Sequence, residues 1–219
     1  MEGREIRVPV RDLSVTATVH GTGQTMVALG HGAGGDRTAP LLLRLAAALA
    51  ASGRAALLYN FPYTDARRRV PDSADVLEMT ARGVGDHARG SLGASRVVLG
   101  GKSMGGRIAS QAVAKGADAD GLLFLGYPLH PPGKPETLRD RHLPGVGVPM
   151  LFLQGTRDAF ARWDLVEGLI ARLGEKATLH RVLDADHSFR VPRRTGRAAA
   201  DVEAEVFAAA LAWLAAHGL

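Results

Sequence analysis

The stretch VVLGGKSMGGR, residues 97–107, decides how this chain is read. Gly101-Lys102-Ser103 matches the tail of a phosphate-binding loop. Gly101-Lys102-Ser103-Met104-Gly105 also matches Gly-x-Ser-x-Gly, a turn that presents a serine. The first reading needs a glycine five residues before Gly101, and that position is Arg96. It also needs a loop where the apolar run Val97-Val98-Leu99 reads as a strand. Too little backbone precedes Gly-Lys-Ser to wrap a phosphate, so nucleotide binding is set aside.

The second reading needs a strand, a very tight turn and a helix that starts at once. RVVLG (96–100) reads as the strand and MGGRIASQAVAKG (104–116) as the helix. The positions two before and two after the serine must be small, because strand and helix nearly touch there. They are Gly101 and Gly105, and Gly106 and Ala109 keep the next turn thin. Ser103 then sits at a helix N-terminus, where free N–H groups and the helix dipole favour a developing negative charge.

The same alternation runs outward in both directions. IRVPV (6–10) and VTATVH (15–20) read as an edge hairpin. MVALG (26–30), AALLYNF (55–61), GLLFLG (121–126), PMLFLQG (149–155) and ATLHRVL (177–183) read as strands. Helices are expected from Pro40 to a stop at Gly53, over 72–89 with Val76, Met79 and Val84 inward, over 164–174, and over 201–219. A polar loop is expected after Pro62. Strands alternating with helices specify an α/β fold: a mostly parallel twisted sheet with helices on both faces, here as one domain over 1–219. Ligands of such sheets bind at the carboxyl ends of the strands.

A serine hydroxyl needs a base and an orienting acid. On this architecture they follow in the order Ser, Asp or Glu, His. Asp158 ends the strand MLFLQG, and His187 lies in the loop after LHRVL. Both fall on the correct edge in the correct order, so Ser103, Asp158 and His187 are the candidate catalytic residues. Asp164 reads as a helix-start residue and His31 as structural. The N–H of Met104 and, from the loop HGAGG (31–35), that of Ala33 are the expected oxyanion donors. Tyr63, Tyr127, Phe160 and Phe189 are the expected substrate-binding aromatics, with Pro128, Leu129 and His130 beside them. Lys102, Arg157, Arg190 and the arginines at 67–69 are candidates to attract a negatively charged group.

These residues carry a family resemblance over nearly the full chain. HGAGGD (31–36), NFPY (60–63), GGKSMGGR (100–107), GYPLHPPGKP (126–135), QGTRD (154–158) and DHSF (186–189) resemble the α/β-hydrolase superfamily. More narrowly they resemble its dienelactone-hydrolase-like branch, with the bacterial relatives of a testis-expressed hydrolase-like protein and of a chromatin acetyltransferase complex subunit. The resemblance implies a hydrolase using Ser103, Asp158 and His187. Some members of the branch act as complex subunits, so a non-catalytic interaction module is the alternative. Dienelactone hydrolases proper use a cysteine nucleophile, and this chain has 0 cysteines.

Composition bounds the rest. With 46% hydrophobic and 22% charged residues over 219 positions, the chain is long enough to bury a large core. The net charge of +5 raises a nucleic-acid reading, but the arginines are scattered and aromatics are only 5%, which argues against a stacking platform. No apolar leader and no membrane span are visible, so the cytoplasm is the expected location. No metal, cofactor, nucleic-acid or membrane partner is expected, only a small-molecule ester. The slot 127–148 that holds a cap in many hydrolases is short and rich in proline and glycine. No cap domain and a shallow, open site are therefore expected.

Overall fold

The computed structural model describes residues 3–219, so Met1 and Glu2 of the expected 1–219 domain lie outside it. Among the described residues eight strands form one sheet in the order β1-β2-β4-β3-β5-β6-β7-β8. They are β1 (Arg4–Val10), β2 (Leu13–His20), β3 (Thr25–Gly30), β4 (Ala55–Tyr59), β5 (Arg96–Lys102), β6 (Gly121–Leu125), β7 (Met150–Gly155) and β8 (Ala177–Val182). β1 pairs antiparallel with β2, and β2 antiparallel with β4. From β4 to β8 every pairing is parallel.

The central strands are apolar along most of their length because both faces are covered, as parallel sheets require. Successive residues alternate between two cores. Met26, Ala28, Leu122, Phe124, Met150 and Phe152 face one, and Val27, Leu29, Leu123, Leu125, Leu151 and Leu153 face the other. The first core is closed by helices α3 (Ala74–Gly90), α4 (Met104–Ala114) and α5 (Trp163–Leu173). The second is closed by α1 (Pro40–Ala51) and α6 (Ala199–Ala216). No helix among the described residues is long and apolar enough to cross a membrane.

Three local expectations need correction. The segment after Pro62 begins as a one-turn helix, α2 (Pro62–Asp65), before it becomes the arginine-rich loop. Proline at the first helical position costs no hydrogen bond, and Asp65 is held by Thr16 N–H at 2.6 Å and Asn60 Nδ2 at 2.8 Å. The buried face of α3 is Leu77, Ala81, Val84 and Ala88; Val76 and Met79 are only half-buried. That face is rotated because Gly83 and Gly85 approach β1 and β5 closely, where a Cβ would lie 3.1 Å from Val10 and 3.3 Å from Leu99. The strand read as 55–61 stops at Tyr59, and Asn60 turns the chain out toward α2. The segment 127–148 carries one short turn of 3-10 helix and no cap domain.

Candidate active site

The turn at Ser103 is built by backbone packing against β3. Gly30 pairs with Gly101 across the β3–β5 ladder. A Cβ on Gly101 or on Gly105 would collide with the Gly30 carbonyl, so neither position accepts a side chain. Gly101 has φ 144°, a value that a side chain would also resist. Ser103 itself is held at φ 50°, ψ −113°, an unfavourable conformation for a residue with a Cβ. Its N–H donates to Leu125 O at 3.1 Å, and its carbonyl accepts from Arg107 N–H at 3.1 Å. The strained residue is therefore fixed by β6 on one side and by the first turn of α4 on the other. Strand, turn and helix follow as the glycine spacing requires.

Three strand ends converge there. Ser103 follows β5, Asp158 follows β7 and His187 follows β8. His187 Nε2 lies 2.8 Å from Ser103 Oγ, and His187 Nδ1 lies 2.7 Å from Asp158 Oδ2. A consistent assignment has Ser103 O–H donating to Nε2 and Nδ1–H donating to the carboxylate. The Asp158 side chain has no exposed surface. Its Oδ2 also accepts from Gln154 Nε2 at 2.6 Å, and its Oδ1 accepts from Phe160 N–H at 2.8 Å. The loops of Asp158 and His187 are tied together: Arg157 N–H donates to Ala185 O at 2.9 Å, and Asp184 N–H to Thr156 Oγ1 at 2.9 Å. Asp186 Oδ1 accepts from the N–H groups of Ser188 and Arg190, which folds the His187 loop on itself.

Gln154 is the residue that sequence reasoning missed. It is buried at the end of β7 and bridges Tyr127 N–H, at 2.8 Å, to the Asp158 carboxylate. A buried polar residue in an otherwise apolar strand was the available signal, since such a group needs partners.

The loop 31–37 lies opposite. His31 is fully buried, and its ordinary pKa is lowered chiefly by burial. Its Nδ1 donates to Gly32 O at 2.7 Å, and its Nε2 accepts from Phe61 N–H at 3.3 Å and faces Thr64 Oγ1 at 3.1 Å. It anchors the loop, as expected of a structural histidine. Ala33 is exposed on a cavity of about 370 Å³ that also touches Ser103, Met104, Ile108, Leu77 and Phe160. The two expected oxyanion donors, Met104 and Ala33, are thus walls of one cavity.

Of the four expected substrate aromatics only Phe160 lines this cavity, with its ring centroid 4.3 Å from that of His187. Tyr63 is a correction: it is buried, and its hydroxyl donates to Ala33 O at 2.9 Å, holding the loop. Tyr127 is a second correction. It packs on Phe124 and Phe152 in the first core, and its hydroxyl donates to Arg139 O at 2.8 Å. Phe189 is a third, buried in the second core on the far face of the sheet. Pro128 is a wall of the cavity, whereas Leu129 and His130 are buried.

The charged residues are redistributed as well. Arg157, Arg190 and Arg67 to Arg69 are exposed and do not line the cavity. Lys102 turns beneath the triad. Its Nζ is buried without a hydrogen-bond partner among the described residues, and burial lowers its pKa to about 8. A Cβ on Gly126 would lie 3.2 Å from this Nζ and 3.4 Å from His187 Nδ1, so that glycine leaves the space between them open. The cavity wall instead carries Arg107 and Arg139. A second serine–histidine contact exists at Ser110 Oγ and His142 Nε2, 2.7 Å apart. It sits on the buried side of α4, and among the described residues no carboxylate is hydrogen-bonded to the other ring nitrogen of His142.

The sheet order, with helices on both faces, is that of an α/β-hydrolase fold. The chain belongs to the alpha/beta hydrolase domain family, whose model matches residues 23–215. Among solved structures it is similar to a dienelactone hydrolase from Anabaena variabilis, at 21% identity over 98% of each chain with a TM-score of 0.73. It is similar to an α/β serine hydrolase without a lid from Xanthomonas campestris, at 19% identity over 97% of this chain and 95% of that one, with a TM-score of 0.76. A cold-adapted esterase from an Arctic intertidal metagenomic library matches at 18% identity over 97% and 92%, with a TM-score of 0.69. Family membership supports hydrolase activity; the structural neighbours establish the fold.

Proposed function

We propose that the protein is a serine hydrolase that cleaves carboxylic esters, with thioesters or amides open to the same chemistry, through an acyl-enzyme on Ser103. The observation that carries the reading is the continuous hydrogen-bonded chain Asp158–His187–Ser103, with its serine on a strained strand-to-helix turn. His187 Nε2 takes the Ser103 proton as Oγ attacks the ester carbonyl, and Asp158 holds the ring and stabilises the imidazolium. The N–H groups of Met104 and Ala33 receive the negative charge that develops on the carbonyl oxygen. The imidazolium protonates the departing alkoxide. Water then attacks the acyl-enzyme, with His187 again as base, and restores Ser103.

A fluorophosphonate probe tests this directly. Labelling of the wild type that disappears in Ser103→Ala is the expected result. A folded wild type that takes no label and turns over no member of an acyl-chain ester series overturns the reading in favour of a non-catalytic module.

A further inference from the structure

Lys102 is the residue of the turn that the triad does not use. Its backbone ends β5, directly before Ser103. Its stem runs past the loop 31–35, where a Cβ on Gly32 would lie 3.8 Å from Lys102 Cγ. The side chain ends beneath His187. One point, the place a Cβ on Gly126 would take, lies 3.2 Å from Lys102 Nζ, 3.3 Å from His187 O and 3.4 Å from His187 Nδ1. Gly126 has φ 69°, a conformation that favours glycine, so residue 126 puts no side chain between the ammonium and the imidazole.

An ammonium carries three donors, and burying it without an acceptor is costly. The turn itself asks only for small residues at 101 and 105, so its packing does not call for a cation at 102. The neighbouring charges show what this cation meets. Burial lowers its pKa to about 8 against the pull of Asp158 and Asp186. Both carboxylates are already engaged: Asp158 by His187, Gln154 and the Phe160 N–H, and Asp186 by the N–H groups of Ser188 and Arg190. In the same two loops the Arg157 and Arg190 side chains are exposed, where water and salt screen them, and Asp184 pairs with Arg194 at 3.6 Å. Arg107 and Arg139 stand in the cavity wall. Lys102 is thus a cation buried beside the Nδ1 edge of His187. A positive charge there disfavours a second one on the ring.

We propose that Lys102 is a positioning residue that acts through His187: its ammonium, held beneath the ring, opposes protonation of the imidazole and keeps the base of the triad free at mildly acidic pH. The proposal rests on the hydrolase reading above and adds the pH range over which that site works. Below about pH 8 Lys102 carries its charge, so the effect spans the acid side of the profile.

The acid limb of kcat/KM on p-nitrophenyl acetate tests it. Lys102→Met and Lys102→Gln remove the charge and move the midpoint of that limb to higher pH by about one unit. Lys102→Arg keeps the charge and keeps the midpoint near the wild-type value. A merely structural role changes the plateau rate or the stability and leaves the midpoint in place. An unmoved midpoint in folded Lys102→Met and Lys102→Gln therefore overturns the proposal. So does an equal shift in Lys102→Arg, because shape rather than charge is then the cause. If Lys102→Arg does not fold, the two neutral variants carry the test.

An NMR titration of the His187 ring separates this from the hydrolase reading, because it needs no turnover. His187→Gln assigns the resonance among the 8 histidines. A ring that takes its proton at higher pH in Lys102→Met supports the proposal even if no ester is cleaved. A ring that titrates alike in both proteins overturns it, and turnover of p-nitrophenyl acetate by the same wild-type sample leaves the hydrolase reading standing.

Discussion

The two sides of Ser103 are built on opposite rules. Toward β7 and β8 each polar group of the triad has a partner: Asp158 accepts from Gln154, Phe160 and His187, and His187 reaches Ser103. Toward the cavity and beneath the triad lie cations that form no ion pair among the described residues, Arg107, Arg139 and Lys102, although Asp158 and Asp186 lie near enough to Lys102 to favour its charge. The satisfied side is what a fold needs in order to hold a geometry, because unpaired buried groups cost stability. The unsatisfied side stores a penalty.

The largest expected effect comes from breaking the satisfied side. Asp158→Asn keeps the shape but cannot hold the same His187 tautomer, and a loss of about 10⁴ in kcat on an ester substrate is expected. Steady-state kinetics check this, with circular dichroism confirming the fold. Gly105→Ala attacks the turn through packing. Its Cβ meets the Gly30 carbonyl, and backbone cannot yield as a side-chain end can, so destabilisation of about 3 kcal/mol is expected by urea unfolding. A variant as stable as wild type contradicts the account of the turn.

Gln154→Leu removes the bridge behind Asp158 and leaves Tyr127 N–H buried and unpaired. A fall in kcat of about 10² and a stability loss of about 1–3 kcal/mol are expected. An unchanged kcat assigns Gln154 to stability alone.

The smallest effect, and the only one with the opposite sign, comes from the unsatisfied side. Lys102→Met removes a buried ammonium whose folded pKa, about 8, lies below the ordinary 10.5. Between those values the unfolded chain holds the proton that the folded chain has lost. Wild-type stability therefore rises relative to the variant as pH climbs from about 8 to 10.5, and the penalty is fully present below 8. At pH 7 the variant is expected to be more stable by about 1–3 kcal/mol, the order set by a depression of that size. Thermal unfolding of both proteins across this pH range checks it. A variant that is no more stable at pH 7 shows that water or a neighbour already satisfies the Lys102 ammonium.

What could be read in advance was what local rules control. The glycines flanking Ser103, the apolar runs that end at Gly30, Gly101 and Gly155, and the positions of Asp158 and His187 after their strands are all short-range signals. The corrections share a different cause. Tyr63, Tyr127 and Phe189 look like pocket residues because they sit in strand-end loops beside the site residues. Each loop, however, folds back over the sheet, and burying a large ring in a core gains more than lining a wet cleft. Phe189 falls only two residues after His187 yet packs on the opposite face of the sheet. Val76 and Met79 illustrate the same limit within a helix: periodicity predicts an apolar face, but Gly83 and Gly85 rotate α3 to bring its backbone close to β1 and β5.

The sequence by itself determined the α/β class, the strand-to-helix turn at Ser103 and the chain order of serine, aspartate and histidine. These depend on two periodicities and on where a Cβ fits. Only the tertiary structure decided that Phe160 rather than Tyr127 faces the serine, that Gln154 braces Asp158, and that Arg107 and Arg139 share one cavity. Those residues come from separate helices and loops, and their meeting depends on how the loops pack over the sheet, which no local pattern encodes.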